Sequence, residues 1–385
     1  MKRLVVCCDG TWSKPDSANA SNAEKIARTV QVDPDLTGGV TQLVYYVSGV
    51  GAAGYAADRL LGGAFGFGLF HNVIACYRFL AQNYAPGDEI FIFGFSRGAY
   101  TARSLAGMIG RVGLLTRQAL VEERLRTAVD LYQRKDPVEG PFGASVEEFA
   151  HDHCHAPGVQ FLGVFDTVGA LGVPGLRWGT PKFHDVQLGP AVLHARQALA
   201  IDERRLIFAP TLWEIPEDAP AGASTEDRRV KQVWFEGVHS DVGGGYAETG
   251  LSDTTLLWMV REARGAGLVF DGPLLAHYVN SGSDPIRHRS LTFGFWLLNA
   301  LLRMRSAIFA RTRRAAFIRG LRRLGDGRAL SLRIASSAVN HYQGGGYEPA
   351  NLVELAQATN GFAGIAESVT ALPEAGVDLT PYATA

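Results

Sequence analysis

Three glycine-flanked stretches of this chain carry the residue types that nucleophilic catalysis requires. They are Gly94-Phe95-Ser96-Arg97-Gly98, Phe165-Asp166-Thr167-Val168-Gly169 and Gly237-Val238-His239-Ser240-Asp241. A serine hydroxyl attacks a carbonyl carbon only when a base takes its proton. A buried carboxylate on the base's other nitrogen fixes the tautomer and stabilises the imidazolium that forms. Ser96, His239 and Asp166 are the candidates for nucleophile, base and orienting acid. With 45 glycines in 385 residues, a G-x-S-x-G match alone decides little; the surrounding elements must supply the context.

That context is strand, turn, helix. Asp88-Glu89-Ile90-Phe91-Ile92-Phe93 reads as a short buried strand introduced by Pro86-Gly87. After Gly98, apolar residues recur at helical spacing through Ala102, Leu105, Ala106 and Ile109. Further strands are expected at Arg3–Cys8, Thr41–Val47, Val159–Phe165 and Val230–Phe235. Helices are expected at Asn22–Val30, Leu69–Gln82, Tyr100–Ile109, Leu120–Gln133 and Val192–Leu199. Alternation of the two predicts an α/β fold, a doubly wound and mostly parallel sheet of the α/β-hydrolase kind. Right-handed crossovers bring successive strand ends to one edge, where ligands bind. Ser, Asp and His each follow one of these strands, in the chain order of α/β-hydrolases. The expected catalytic core is 1–270, with insertions 116–157 and 172–228 long enough to form a lid, followed by a helical, Arg-rich extension over 271–385.

An oxyanion hole needs preorganised backbone donors. The amide of Arg97 is the first candidate, and Gly10 or Thr11, after the first strand, the second. Asp241 is a rival acid, although two residues from His239 it is better placed to hold its own turn. Asp9 could brace the loop that follows it. Asp9, Asp166 and Asp241 at three strand ends could alternatively hold a hard metal for phosphoester hydrolysis. A non-catalytic binding protein on the same fold is a further reading. Three other motifs carry less. Gly49-Val50-Gly51-Ala52-Ala53-Gly54 fits a dinucleotide fingerprint but lacks the acidic residue a ribose needs. Cys7 replaces the nucleophilic aspartate of a D-x-D-G-T motif, and His151-Asp152-His153-Cys154-His155 has no second cluster to close a metal site. No cofactor and no metal are expected.

Charge is balanced, 37 basic against 38 acidic residues, which argues against nucleic acid as a partner. A hydrophobic content of 47% fits a globular protein. The apolar run before Asp9 is too short for a signal peptide, and four cysteines make no disulfide framework. A cytoplasmic location is the default, with signal-less secretion open. Between Asp284 and Asp326 no acidic residue occurs, while arginines from Arg287 to Arg323 interleave with Phe, Trp and Leu. This segment, 287–323, reads either as core-packed helices with a solvated arginine face or as a peripheral contact with an anionic membrane.

The motifs Asp9-Gly10-Thr11-Trp12, YYVSGVG (45–51), GDEIFIFGFSRGAYTAR (87–103), FLGVFDTVGALG (161–172), ALAIDERR (198–205) and VWFEGVHSDVGGGY (233–246) resemble a bacterial and fungal family of α/β-hydrolases. That family includes one class of phospholipase effectors of the type VI secretion system. The resemblance implies an esterase or lipase acting on ester or phospholipid substrates without a cofactor, with Ser96, Asp166 and His239 as its reacting residues. Members of the family carry a His-x-Ser-Val-like block near a tyrosine-proline segment. This chain instead has Ile334-Ala335-Ser336-Ser337-Ala338-Val339, with His288 and His341 as the histidines that could substitute.

Overall fold

Eight short strands, most of them carrying a run of apolar residues, build the central sheet. They are β1 (Lys2–Cys8), β2 (Thr41–Val47), β3 (Glu89–Phe95), β4 (Val159–Phe165), β5 (Ala195–Ala200), β6 (Val230–Phe235), β7 (Leu332–Ala335) and β8 (Ala366–Glu367). Their order is β8-β7-β6-β5-β4-β3-β1-β2, and every neighbouring pair is parallel. The computed structural model describes residues 1–10, 19–49, 64–133, 145–168, 188–215, 224–279, 285–292, 294–296, 299, 317–318, 320–325 and 329–369. The fold is therefore the α/β doubly wound sheet expected.

Alternation along the strands sends side chains into two apolar layers, as a sheet covered on both faces requires. Leu4, Val6, Cys8, Ile90 and Ile92 pack against α2 (Ala64–Asn83) and α3 (Arg97–Val112) through Tyr77, Leu80, Ala102 and Leu105. Val5, Cys7, Phe91, Phe93 and Phe161 face the other way, toward Ile26 of α1 (Asn22–Thr29) and toward Leu256, Trp258 and Met259. Strand order reverses beside β1, between β2 and β3, which is where sheets of this class open a ligand crevice. The register aligns the ends that matter: Cys8 lies beside Gly94, Phe95 beside Phe165, and Ala200 beside Phe235.

Four expectations need correction. Val192–Leu199 is not a helix; Ala195–Ala200 is β5, fully buried between β4 and β6. Its alanines, leucine, arginine and glutamine are good helix formers, but six residues hold no helix against sheet pairing on both sides. Its polar side chains are satisfied from afar, Arg196 Nε by Glu262 and Gln197 Nε2 by the Thr211 carbonyl. The stretch 172–228 is consequently not one lid insertion, since it contains a central strand. Leu120–Gln133 is broken into helices Arg117–Val121 and Leu125–Gln133, with Glu123 at a φ of 59° between them. Beyond 270 the chain is not only helical, because β7 and β8 extend the same sheet past β6.

Candidate active site

Ser96 occupies the single residue between the end of β3 and the start of α3, at φ 58° and ψ −120°. A β-substituted residue is held in that sparsely populated region only when its neighbours leave no alternative. The two flanking glycines show why. A Cβ on Gly94 would come within 2.5 Å of the Gly98 carbonyl oxygen, and one on Gly98 would fall on the Cys8 carbonyl and 2.5 Å from that of Asp9. The helix thus starts hard against both β3 and β1, and the hydroxyl is lifted out at the sheet edge. The Ser96 amide donates to the Phe165 carbonyl at 3.0 Å, tying the turn to the end of β4.

His239 is the first residue of α4 (His239–Gly243), which follows β6 directly. Its position over Ser96 is set by packing. Gly243 lies so close to the Phe95 ring that any side chain there would overlap it. Asn22 of α1, fully buried, donates to the Val242 carbonyl at 3.0 Å and to Thr255 Oγ1 of α5 (Gly250–Gly265) at 3.0 Å. The imidazole lies 4.8 Å from the Phe95 ring and 4.8 Å from the Phe208 ring, the latter edge-on. Glu203 accepts the His239 amide, while its carboxylate is clamped by Arg205 through Nε at 2.9 Å and Nη2 at 2.8 Å. Arg205 in turn lies over Phe208, 3.7 Å from the ring centre. Burial would raise the Glu203 carboxyl, but the Arg205 bonds outweigh it and bring it down to about 2.

Ser96 Oγ and His239 Nε2 are 2.7 Å apart, and His239 Nδ1 and Asp166 Oδ2 are 2.5 Å apart. Asp166 follows β4 at a φ of 43° and is fully buried. Burial would raise its carboxyl; the guanidinium of Arg322 and the bond from His239 outweigh that and hold it well below the usual carboxylate range. An ionised Asp166 can only accept, so Nδ1 carries the ring proton and Nε2 is left to accept from Ser96. Burial pushes His239 below its ordinary value, with Asp166 opposing. The imidazole is therefore neutral near pH 7 and oriented to take a proton from Ser96.

The remaining sequence candidates have other partners. Arg97 opens α3, where first-turn amides point out of the helix end. Gly10 does lie against Ser96, since a Cβ on it would approach Ser96 Cβ to 3.1 Å. Its amide, however, donates to Asp9 Oδ1 at 2.6 Å and is committed there. Thr11 lies outside the described residues. Asp9 also accepts from Tyr46 Oη at 2.7 Å. Asp241 braces its own turn, accepting the Val238 amide at 2.9 Å, and bonds His288 Nδ1 at 2.6 Å. His288 joins Asp241 and Glu248 and stacks on Tyr246, while His341 joins Glu236 at 2.9 Å. Among the described residues no group of three or more His, Cys, Asp or Glu could hold a metal ion. The three strand-end aspartates of the metal reading are each engaged by a different set of donors. The Val50–Gly54 part of the dinucleotide-like motif lies outside the described residues. So do residues 172–187 and most of the Arg-rich segment.

Three residues of the site carry no signal that sequence reasoning reads. Glu203 and Arg205 lie within the ALAIDERR motif without a predicted role, and Arg322 lies among the arginines of 287–323, yet it is fully buried and bonded to Asp166. Its partner lies 156 residues away in the chain, so no local pattern announces the pair.

Comparison with known proteins adds the family. A protein of Saccharomyces cerevisiae, uncharacterized protein YEL023C, is 31% identical over 236 residues, covering 54% of this chain and 33% of that protein. The chain thus spans about a third of the length of that relative. A crystal structure of an uncharacterized protein from Pseudomonas aeruginosa shares 17% identity at a TM-score of 0.44, over 82% of this chain and 52% of the other. The Tle1 effector bound to the VgrG spike of the type 6 secretion system shares 19% identity at a TM-score of 0.38, over 65% and 52%. Residues 2–262 match the family model described as T6SS, phospholipase effector Tle1-like, catalytic domain, and the chain belongs to this hydrolase family.

Proposed function

We propose that this chain is a serine esterase or lipase that cleaves the carboxylic ester bonds of phospholipids through an acyl-enzyme on Ser96. The observation that carries the reading is the continuous hydrogen-bonded path from Ser96 Oγ through His239 to Asp166, 2.7 Å and 2.5 Å long. His239 Nε2 takes the hydroxyl proton as Oγ attacks the ester carbonyl, and Asp166 stabilises the imidazolium. The oxyanion that forms is met by the amide of Arg97 at the start of α3. Collapse of the intermediate passes the proton from His239 to the departing alcohol. Water, deprotonated by the same nitrogen, then releases the fatty acid and restores Ser96. No step needs a cofactor.

The depressed basicity of His239 has a readable sign. Activity requires the neutral imidazole, and burial lowers its proton affinity. The acid limb of kcat/KM is therefore expected with a midpoint below the ordinary histidine value of about 6.5. A midpoint at or above it would mean that another group limits the reaction.

Family membership supports lipid as the substrate class, and contact with the bilayer through 287–323 is part of the same proposal. Described residues beside and within it offer exposed apolar surface, Ile286 at 50% and Trp296 at 54%. No helix among the described residues is long and apolar enough to cross a membrane. Vesicles of phosphatidylcholine and phosphatidylglycerol test the whole reading, with flotation for binding and mass spectrometry for products. The wild type is expected to float with the vesicles and release lysophospholipid and fatty acid, and Ser96→Ala to bind and release neither. Turnover that persists in Ser96→Ala and falls with a chelator would replace this reading with metal-dependent phosphoester hydrolysis.

A further inference from the structure

Asp166 is a buried carboxylate with three partners, and the Ala200 amide donates to its Oδ1 at 3.1 Å. His239 donates to Oδ2, and Arg322 grips both oxygens, Nη1 on Oδ1 at 2.5 Å and Nη2 on Oδ2 at 2.9 Å. The second hydrogens of the same two nitrogens go to the Ala200 carbonyl at 3.0 Å and the Phe208 carbonyl at 2.6 Å. All four terminal N–H groups of the guanidinium are thus used, in a planar fork that lysine cannot reproduce. The backbone of Arg322 is anchored as well: Asn351 Nδ2 donates both to its carbonyl and to that of Ile201, at 3.0 Å each. Beside it Leu324 enters the core formed with Leu199, Trp234 and Ile334.

We infer that Arg322, contributed by the chain beyond the matched catalytic domain, is a positioning residue that fixes the Asp166 carboxylate beside His239 while limiting how strongly that carboxylate attracts a proton to the imidazole. The inference rests on the reading of Ser96, His239 and Asp166 as the reacting relay. Without the fork the carboxylate keeps the Ala200 amide and His239 as partners, is held less firmly beside the ring, and exerts its full negative field on the imidazole. Arg322 prevents this, because its positive charge offsets part of that field. Glu203 adds negative charge near the imidazole and Arg205 positive charge, and the two are paired with each other. Among the described residues Arg322 is therefore the cation whose removal leaves Asp166 uncompensated. The sign follows: without Arg322 the field favours imidazolium, and the base becomes protonated at higher pH.

The test is the rate of covalent labelling of Ser96 by a fluorophosphonate as a function of pH, which reads activation of the serine without any lipid. Arg322→Met is expected to label at least tenfold more slowly at neutral pH, with the midpoint of its acid limb raised by roughly half to one pH unit. Arg322→Lys keeps the charge but not the fork, so its midpoint stays near that of the wild type while its rate falls by about tenfold. A cooperatively melting Arg322→Met with wild-type rate and midpoint overturns the inference. Should Arg322→Met fail to melt cooperatively, Arg322→Lys decides: a folded protein labelling within twofold of wild type overturns it, and a tenfold loss supports it. Failure of the wild type itself to label would strike at the Ser96 reading instead, so the two failures are distinguishable.

Discussion

Ser96→Ala and His239→Ala are each expected to lower kcat for ester hydrolysis by roughly 10⁴- to 10⁶-fold, and the double variant is expected to be no worse than the more damaging single one. The two side chains act as one device, joined by the 2.7 Å bond between Oγ and Nε2. Without the base the hydroxyl keeps its proton, and without the hydroxyl the base has nothing to activate. What survives comes from the amide at the start of α3 and from substrate binding. Ser96→Ala removes a single oxygen and should change the melting temperature little, whereas His239→Ala empties a buried place between the Phe95 and Phe208 rings and should lower it by several degrees. Steady-state kinetics on a short nitrophenyl ester, with melts of all three variants, make the comparison. Additive losses in the double variant would mean that Ser96 and His239 act in separate steps.

The largest effect on stability is expected from Gly98→Ala. A methyl there meets backbone, the Cys8 and Asp9 carbonyls, and no side chain can rotate away. Either α3 moves off the end of β1 or β1 bends, and both disturb layers that are packed on each face of the sheet. A loss of about 3–5 kcal/mol is expected, a large fraction of the stability of an ordinary domain. Gly265→Ala at the end of α5 is the matched control: nothing lies within 4 Å of the added Cβ. There the substitution should be neutral or stabilise by up to about 1 kcal/mol. Denaturant titration of both variants reads the contrast, and equal stabilities would show that the close approach at Gly98 is not needed.

The strand ends of this protein were legible because they are written in local sequence. Ser96, Asp166 and His239 each follow an apolar strand within a few residues and are flanked by glycine, and a parallel sheet brings such ends to one edge. Their side chains meet within hydrogen-bond reach. Strand β5 was not legible. His194-Ala195-Arg196-Gln197-Ala198-Leu199 has helix-forming composition, and only pairing with β4 and β6 makes it a strand. Its polar residues are buried at no cost visible in the sequence, because Glu262 and Thr211 satisfy them. Arg322 was hidden for a related reason. Among many arginines in a stretch without acids, nothing nearby distinguishes the one whose carboxylate lies 156 residues away. Long-range charge pairing is the part of a site that composition and spacing carry least.

Mass spectrometry of the wild type and Ser96→Ala after exposure to a fluorophosphonate tests the central claim most directly. The account predicts a single phosphonyl adduct on Ser96 in the wild type, lost in Ser96→Ala and formed more slowly below the pH at which His239 takes a proton. A folded wild type that stays unlabelled in the presence of phospholipid vesicles, or an adduct on any other serine, would contradict it.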